Sequence, residues 1–446
     1  MNIAAIFKAY DVRGKVGVEL TPEVAERIGR ATAEWLPERG AVVVGRDMRA
    51  DSAELATSVI TGLRLEGRDV VDIGTVTTDM MYFAIGHMEL AGGLMITASH
   101  NGSDYNGIKI YRDHVTPVGL DTGLADIRDA VLANDFVPST AEGKLEQASI
   151  TQAWIEHALS FVDSVHWPHF KVAIDAGNGM AGAILPHILP VLPLEVEEMY
   201  FELDGSFPHH EANPMDVKNL RDIITKIKHE QCHFGLAFDG DGDRVMLVDD
   251  LGRPVQGSDM LTLISRVVLQ QHPGSEIIHD VRTSRATKEF IQQWGGVPVR
   301  AKAGRVSIGK IVRERGAPFG GETTGHLFFA DNFDADSGLI GALMAIQAIA
   351  DSGKKLSELV DEYRTYEMIP ETNYTVSNPE ATLEKLSKEF ADGVQDTLDG
   401  LTVEYEDAWC NVRASNTEPL LRLNAEARTK TRLEQLLKRV NHVLKP

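Results

Sequence analysis

A chain of 446 residues is too long for one ordinary hydrophobic core and is expected to divide into three or four domains. Its formal net charge of -22 excludes nucleic acid and anionic membranes as partners, whereas an anionic small substrate stays open because local Arg and Lys set the field inside a cleft. The two cysteines, Cys232 and Cys410, lie far apart without metal-type spacing, so no disulfide framework organises the chain and the cytoplasm is the expected compartment.

The opening segment lacks the basic and apolar regions of a signal peptide. Residues 7–14 (FKAYDVRG) read as a polar loop containing Tyr10 and Arg13. Thr21-Pro22 then supplies an N-cap and a first-turn proline, and Val24, Ile28, Ala31 and Trp35 follow at helical spacing. Strands over 41–44 and 70–73 flank a helix over 52–66, an alternation that predicts a parallel sheet. A strand over 94–96 runs into Thr97-Ala98-Ser99-His100-Asn101-Gly102, and the chain resumes as a strand over 108–110 containing Lys109. A hydroxyl, an imidazole and an ammonium thus meet at a strand end, where open α/β sheets hold ligands. A Ser-His hydrolase is disfavoured, because the G-x-S-x-G elbow is missing and adjacent Ser and His side chains seldom face each other.

Residues 134–144 read as a linker, after which the βα pattern restarts. A strand over 171–175 ends in the glycine-rich turn 175–182, which reads as tight packing because its spacing does not match a dinucleotide fingerprint. A helix over 217–230 and a strand over 234–238 deliver Asp239-Gly240-Asp241-Gly242-Asp243-Arg244. Three clustered carboxylates repel one another unless a cation sits between them, and an all-oxygen ligand set suits Mg2+, Mn2+ or Ca2+. An EF-hand is rejected: its sixth position requires Gly and holds Arg244, its twelfth requires Glu and holds Asp250, and a strand precedes the loop.

Helices over 258–270 and 287–294 alternate with strands over 277–281 and 297–299, followed by a basic cluster of Arg300, Lys302 and Arg305. The loop Gly320-Gly321-Glu322-Thr323-Thr324-Gly325-His326 sets a carboxylate and hydroxyls among glycines, groups suited to sugar hydroxyls. The apolar segment 338–350 falls short of the roughly 20 residues that span a bilayer and reads as a buried helix. Beyond Pro370 the pattern becomes α+β, with a helix over 379–398, strands over 401–405, 411–413 and 420–425, and a closing helix over 432–443. Between the last two strands, Arg413 and Ser415-Asn416-Thr417 offer donors for a phosphate, although the same segment also reads as a simple turn.

Taken in order, TASHN, DGDGDR, GETTGH and RASNTEP strongly resemble the α-D-phosphohexomutase superfamily, especially its phosphomannomutase/phosphoglucomutase branch, and FKAYDVRG and DGSFPHHEANP (204–214) also look like family segments. The resemblance covers nearly the whole chain. It implies an α/β fold of three successive βαβ-type domains with mixed, mainly parallel sheets around a central cleft, plus a C-terminal α+β domain with an antiparallel sheet. The expected divisions are 1–144, 145–252, 253–367 and 368–446.

The implied activity is phosphoryl transfer between the 1- and 6-positions of a hexose phosphate, mannose or glucose, through a phosphoserine and a hexose 1,6-bisphosphate. Ser99 would be the phosphoserine and would share one Mg2+ with Asp239, Asp241 and Asp243, while Lys109, Arg244 and His100 complete the catalytic set. Lys109 is the expected general base. Substrate would be held by Tyr10, Arg13, Arg282, Lys302, Arg305, Glu322, Thr324, His326, Arg413, Ser415, Asn416 and Thr417, in a monomer or homodimer whose partner is the small-molecule sugar phosphate.

Three departures stand out. Arg305 occupies a place where the family usually has His, Gly102-Ser103 stands where two prolines are common, and Thr324 replaces a usual Ser. The alternatives are a phosphoglucosamine mutase, disfavoured by Asn416 and Thr323, a sugar-phosphate phosphatase, or a catalytically degenerate binding protein.

Overall fold

The computed structural model describes residues 3–37, 40–414 and 420–444. It forms two compact units, one comprising the chain up to Val255 with Gly325–Leu356, the other Gln256–Thr324 with the chain from Ser357 onward.

The first unit opens with β1 (Val12–Lys15), α1 (Pro22–Trp35), β2 (Val42–Arg46), α2 (Ser52–Leu65), β3 (Val70–Thr75), α3 (Thr78–His87), β4 (Gly92–Ile96), β5 (Tyr105–Arg112), β6 (Thr116–Pro117), α4 (Leu124–Ala133) and β7 (Leu145–Gln147). Its sheet runs β1-β5-β4-β2-β3-β7, with β6 beside β5. The members β4, β2, β3 and β7 are parallel, while β5 returns antiparallel to β4. The Val-rich β2 is buried along most of its length, as expected of a strand covered on both faces. The segment read as a linker, 134–144, leads into β7, which joins this sheet against β3.

A second sheet follows from α5 (Thr151–Leu159), β8 (Phe170–Asp175), α6 (Ala181–Ile188), β9 (Leu194–Met199), α7 (Arg221–Glu230), β10 (Phe234–Phe238) and β11 (Val245–Asp249). Its order is β11-β10-β8-β9, parallel except for the β10/β11 hairpin.

The second unit starts with α8 (Gly257–Gln271), β12 (Glu276–Asp280), α9 (Arg285–Gln293), β13 (Val297–Ala301), α10 (Arg305–Arg315) and β14 (Phe319–Gly321), in which β12 pairs in parallel with both β13 and β14. The chain then returns to the first unit with the antiparallel pair β15 (Leu327–Phe329) and β16 (Ala335–Asp336) and with α11 (Gly338–Ser352). The helix α11 is buried on every side from Gly338 to Ile349, and Ser337 caps it by accepting the Ile340 N–H at 3.1 Å.

The chain ends with α12 (Leu356–Tyr363), β17 (Glu367–Met368), β18 (Thr372–Thr375), α13 (Pro379–Glu389), β19 (Val394–Asp396), β20 (Leu401–Glu404), β21 (Ala408–Ala414), β22 (Leu420–Ala427) and α14 (Lys430–Leu444). The strands β17 to β22 make a wholly antiparallel sheet. No helix among the described residues is long and apolar enough to cross a membrane.

Two local expectations change. The helix expected over 379–398 stops at Glu389, because Val394–Asp396 pairs with β20 through a turn at Gly400, whose φ of 72° favours glycine. The basic loop after β13 becomes the helix α10 from Arg305 onward.

Candidate active site

Ser99 and the three aspartates share the first unit. Ser99 follows the C-terminal end of β4, and Asp239 follows that of β10, so both sit where parallel sheets gather ligands. Ser99 adopts φ 51°, a left-handed conformation costly for a side chain beyond glycine, which the surroundings must hold in place. Its Oγ lies 3.4 Å from Asp239 Oδ2 and 3.2 Å from His100 Nδ1. Gly240 permits this approach, since a Cβ there would stand 2.5 Å from the Ser99 carbonyl oxygen.

Asp239, Asp241 and Asp243 are fully buried, and each offers one carboxylate oxygen within 4.8 Å of the others. Lys109 Nζ donates to Asp241 Oδ2 at 2.7 Å and to Asp243 Oδ2 at 2.8 Å. Arg244 donates from Nε to Asp239 Oδ2 at 2.8 Å. Three carboxylates therefore face two side-chain cations at close range. Burial pushes the Asp239 carboxyl well above its usual range, with Asp243 and Asp241 adding to the rise. Burial also presses Asp241 upward, but the Lys109 ammonium and the Thr78 hydroxyl more than offset it and hold that carboxyl low. Asp241 Oδ1 is buried without a hydrogen-bond partner among the described residues. An orphaned carboxylate oxygen, an excess of negative charge and an all-oxygen donor set together fit a hard divalent cation.

His100 links Ser99 to Arg244. Arg244 has only donors, so its contact to His100 Nδ1 at 2.7 Å makes Nδ1 the acceptor and puts the ring proton on Nε2. Burial first, then the charges of Arg244 and Arg13, lower the imidazole to about 3, and the ring is neutral at physiological pH. Arg13 reaches the same loop through the Ala98 carbonyl at 2.6 Å and the Asn101 side chain. Tyr10 stands half exposed nearby in sequence.

His326, at the end of the GETTGH loop, belongs to the first unit. Its Nδ1 lies 2.6 Å from Asp336 Oδ2 and 4.0 Å from Asp243 Oδ1.

The second unit gathers another group. Arg282 donates to Asp280 Oδ2 at 2.6 Å and lies 3.4 Å from Glu322 Oε2, which also accepts the Gly304 N–H at 2.9 Å. The Thr324 hydroxyl donates to Glu322. Lys302 is exposed just before this turn, and Arg305 begins α10. Arg413 pairs with Glu371 at 3.3 Å. Ser415, Asn416 and Thr417 lie outside the described residues.

The sequence reading passed over several supporting groups. Arg49, 3% exposed, donates to the carbonyls of Ser99, Asn101, Gly102 and Tyr105 at 2.7 to 3.1 Å and pairs with buried Asp47. One guanidinium thereby ties down the loop in which Gly102-Ser103 stands in place of two prolines. The signal was present: Asp47 and Arg49 are charged residues directly after the buried strand β2, as the other site loops follow strands. Thr78, at the start of α3, donates to Asp241 Oδ2 at 2.7 Å, and Asp79 accepts from Thr77 and from Ser337, the latter at 2.6 Å. The glycine-rich turn 175–182 packs tightly, as read: Met180 N–H donates to the Gly240 carbonyl at 2.9 Å, and a Cβ on Gly179 would stand 2.8 Å from that oxygen.

Four consecutive segments match the phosphoglucomutase/phosphomannomutase family: alpha/beta/alpha domain I over residues 4–137, domain II over 152–252, domain III over 256–366 and the C-terminal domain over 371–443. The chain belongs to this family. It is 37% identical over 425 residues to phosphohexose mutases of Xanthomonas campestris pv. campestris, covering 95% of both chains. Against a phosphomannomutase/phosphoglucomutase of Pseudomonas aeruginosa it is 37% identical over 440 residues, covering 97% of this chain and 94% of the relative. A crystal structure of a phosphoglucomutase/phosphomannomutase family protein from Burkholderia thailandensis superposes with a TM-score of 0.91 at 33% identity, covering 99% of this chain and 97% of that one. Family membership accounts for the order of the polar loops, and the geometry shows that Ser99 and the aspartates of two of them come together in one buried cluster.

Proposed function

We propose that the protein is a hexose-phosphate mutase of the phosphomannomutase/phosphoglucomutase type, working through a phosphorylated Ser99. One observation supports this most: the Ser99 hydroxyl lies 3.4 Å from a carboxylate of a buried aspartate triad with an unsatisfied oxygen, beside Arg244. Phosphoryl transfer asks the protein chiefly for a positioned acceptor and for positive charge around the moving group.

Asp239, Asp241 and Asp243 would hold Mg2+, which supplies charge stabilisation for the phosphoryl oxygens when bound. The bond from Ser99 Oγ to its phosphoryl group breaks as a bond forms from phosphorus to a free hydroxyl of the hexose phosphate, and the proton of that hydroxyl ends on the freed Ser99 Oγ. The resulting 1,6-bisphosphate turns over, and the same oxygen then accepts the other phosphoryl group. Arg244 neutralises charge on the phosphoryl oxygens. A neutral His100, low in basicity, orients Arg244 through Nδ1 and does not act as the proton acceptor. Lys109 holds Asp241 and Asp243 in place through its two ion pairs. Glu322 and Thr324 bind sugar hydroxyls, and Arg282, Lys302, Arg305 and the loop from Arg413 to Thr417 bind the second phosphate. Tyr10, Arg13 and His326 complete the substrate contacts. The enzyme acts as a monomer or homodimer in the cytoplasm.

Intact-mass analysis should find one phosphate on the purified protein, mapped to Ser99. Ser99→Ala should abolish interconversion of mannose 1- and 6-phosphates and of the glucose pair in the presence of a hexose 1,6-bisphosphate. Full mutase turnover in that variant refutes the mechanism. Rates on the 1-phosphates of mannose, glucose and glucosamine rank the substrates. Release of inorganic phosphate without isomer formation would instead identify a phosphatase. EDTA should stop turnover while leaving the far-UV circular dichroism unchanged.

A further inference from the structure

A second cavity of ≈ 690 Å³ opens in the first unit at the end of the second sheet remote from the aspartates. It is lined at the start of β10 by Phe234 and just beyond β11 by Asp250 and Leu251, whereas the metal-type loop joins the other ends of these two strands. A five-residue strand spans roughly 15 Å, so the cavity is separate from the Ser99 site. Its size falls within the ordinary range for small-molecule sites, about 300 to 1,000 Å³.

The floor is apolar, built from Phe170, Ile227, Phe234 and Ile349, all 8% exposed or less. Leu251, at the edge, is 54% exposed. Around this floor stand Lys228, Lys354 and Lys355 with His233, against one carboxylate, Asp250. The Lys228 side chain lies along the turn at Gly252, where an added Cβ would meet its Cε at 2.5 Å. Lys355 comes within 4.0 Å of Asp250. In a chain whose net charge is -22, the lining of this cavity holds three lysines and one acid around its apolar floor. Lysines near helix C-termini also complement the helix dipole, and Lys228 stands in the last turn of α7, whereas Lys354 and Lys355 lie beyond the end of α11, past the Gly353 cap.

We infer that this cavity is a second binding site, for a small anion with an aromatic or hydrocarbon body. The ring or chain lies on the phenylalanines, and the anionic group meets the lysines. A sugar phosphate lacks the apolar body, so this ligand differs in class from the substrate.

The test is fluorescence titration of the full chain with 8-anilinonaphthalene-1-sulfonate. Saturable one-to-one binding is expected, undiminished by saturating glucose 1-phosphate. Lys228→Glu combined with Lys354→Glu should raise Kd at least tenfold with mutase turnover retained. Uncharged N-phenyl-1-naphthylamine should bind at least tenfold more weakly than the sulfonate. Should the double variant lose turnover through misfolding, Lys228→Met with Lys354→Met, which keeps most of both stems, gives the same comparison. Absence of saturable binding, displacement by glucose 1-phosphate, an unchanged Kd in the charge variants, or equal binding of the neutral probe would each overturn the inference.

Discussion

Replacing Arg49 by Met removes one guanidinium and with it the hydrogen bonds to four carbonyls of the Ser99 loop. Three of those contacts are only part-buried, so water can replace them at little cost, but the Ser99 carbonyl bond is buried and its loss costs about 1–3 kcal/mol. Asp47 is left buried with Ser52 and a backbone N–H but without a cation, a situation worth about 3–5 kcal/mol. Ser99 is already in a left-handed conformation, and the chain relaxes toward ordinary φ once released. A shift of about 1 Å in a reacting group lowers rate by roughly a hundredfold. The expectation is that kcat for Arg49→Met falls by that factor, and that Arg49→Lys, which keeps charge opposite Asp47 but reaches fewer carbonyls, loses roughly tenfold. Phosphorylation of Ser99 by a hexose 1,6-bisphosphate, followed by intact mass, should slow in parallel, while KM changes little. An Arg49→Met protein with wild-type kcat and full Ser99 phosphorylation would refute the reasoning.

Gly240→Ala puts a methyl group 2.5 Å from the Ser99 carbonyl, so the serine and aspartate loops must separate; kcat should fall roughly a hundredfold by the same positional argument, and an unimpaired variant would show that the loops are not required to touch. Asp79 is fully buried and its carboxyl is raised to about 7, first by burial, against the opposing Ser337 and Thr77 hydroxyls. A raised folded-state value means that its protonated form is favoured in the fold, so its contribution is complete below the usual carboxylate pKa, near 4, and is lost as pH rises to about 7. At about 1.4 kcal/mol per pH unit the loss is on the order of 4 kcal/mol. Asp79→Asn should therefore melt like the wild type near pH 4 and higher than it at pH 8; parallel melting curves across that range would contradict the assignment.

The parts of the site that could be read from the chain are those in which one short loop contains all the chemistry. Asp239, Asp241 and Asp243 are spaced by glycines after a buried strand, and the cluster they form needs only the hairpin β10/β11 to exist. Ser99 was reachable because its loop also follows a strand, yet nothing local shows that it meets Asp239, 140 positions away; the order of the family motifs supplied that link. Arg49 is different in kind. Its function lies in four carbonyls 50 to 56 positions distant, and backbone acceptors leave no mark in a sequence. The helix α3 was missed because its residues from Thr78 to Ile85 are all buried, so no polar face alternates with an apolar one to give a 3.6-residue period. That same burial is what makes α3 useful. A helix covered on all sides holds Thr78 against Asp241 and Asp79 against Ser337, and so fixes the aspartate loop from behind. Residues that present chemistry were legible as motifs, whereas residues that position it were not, because their partners are set by the packing of whole elements.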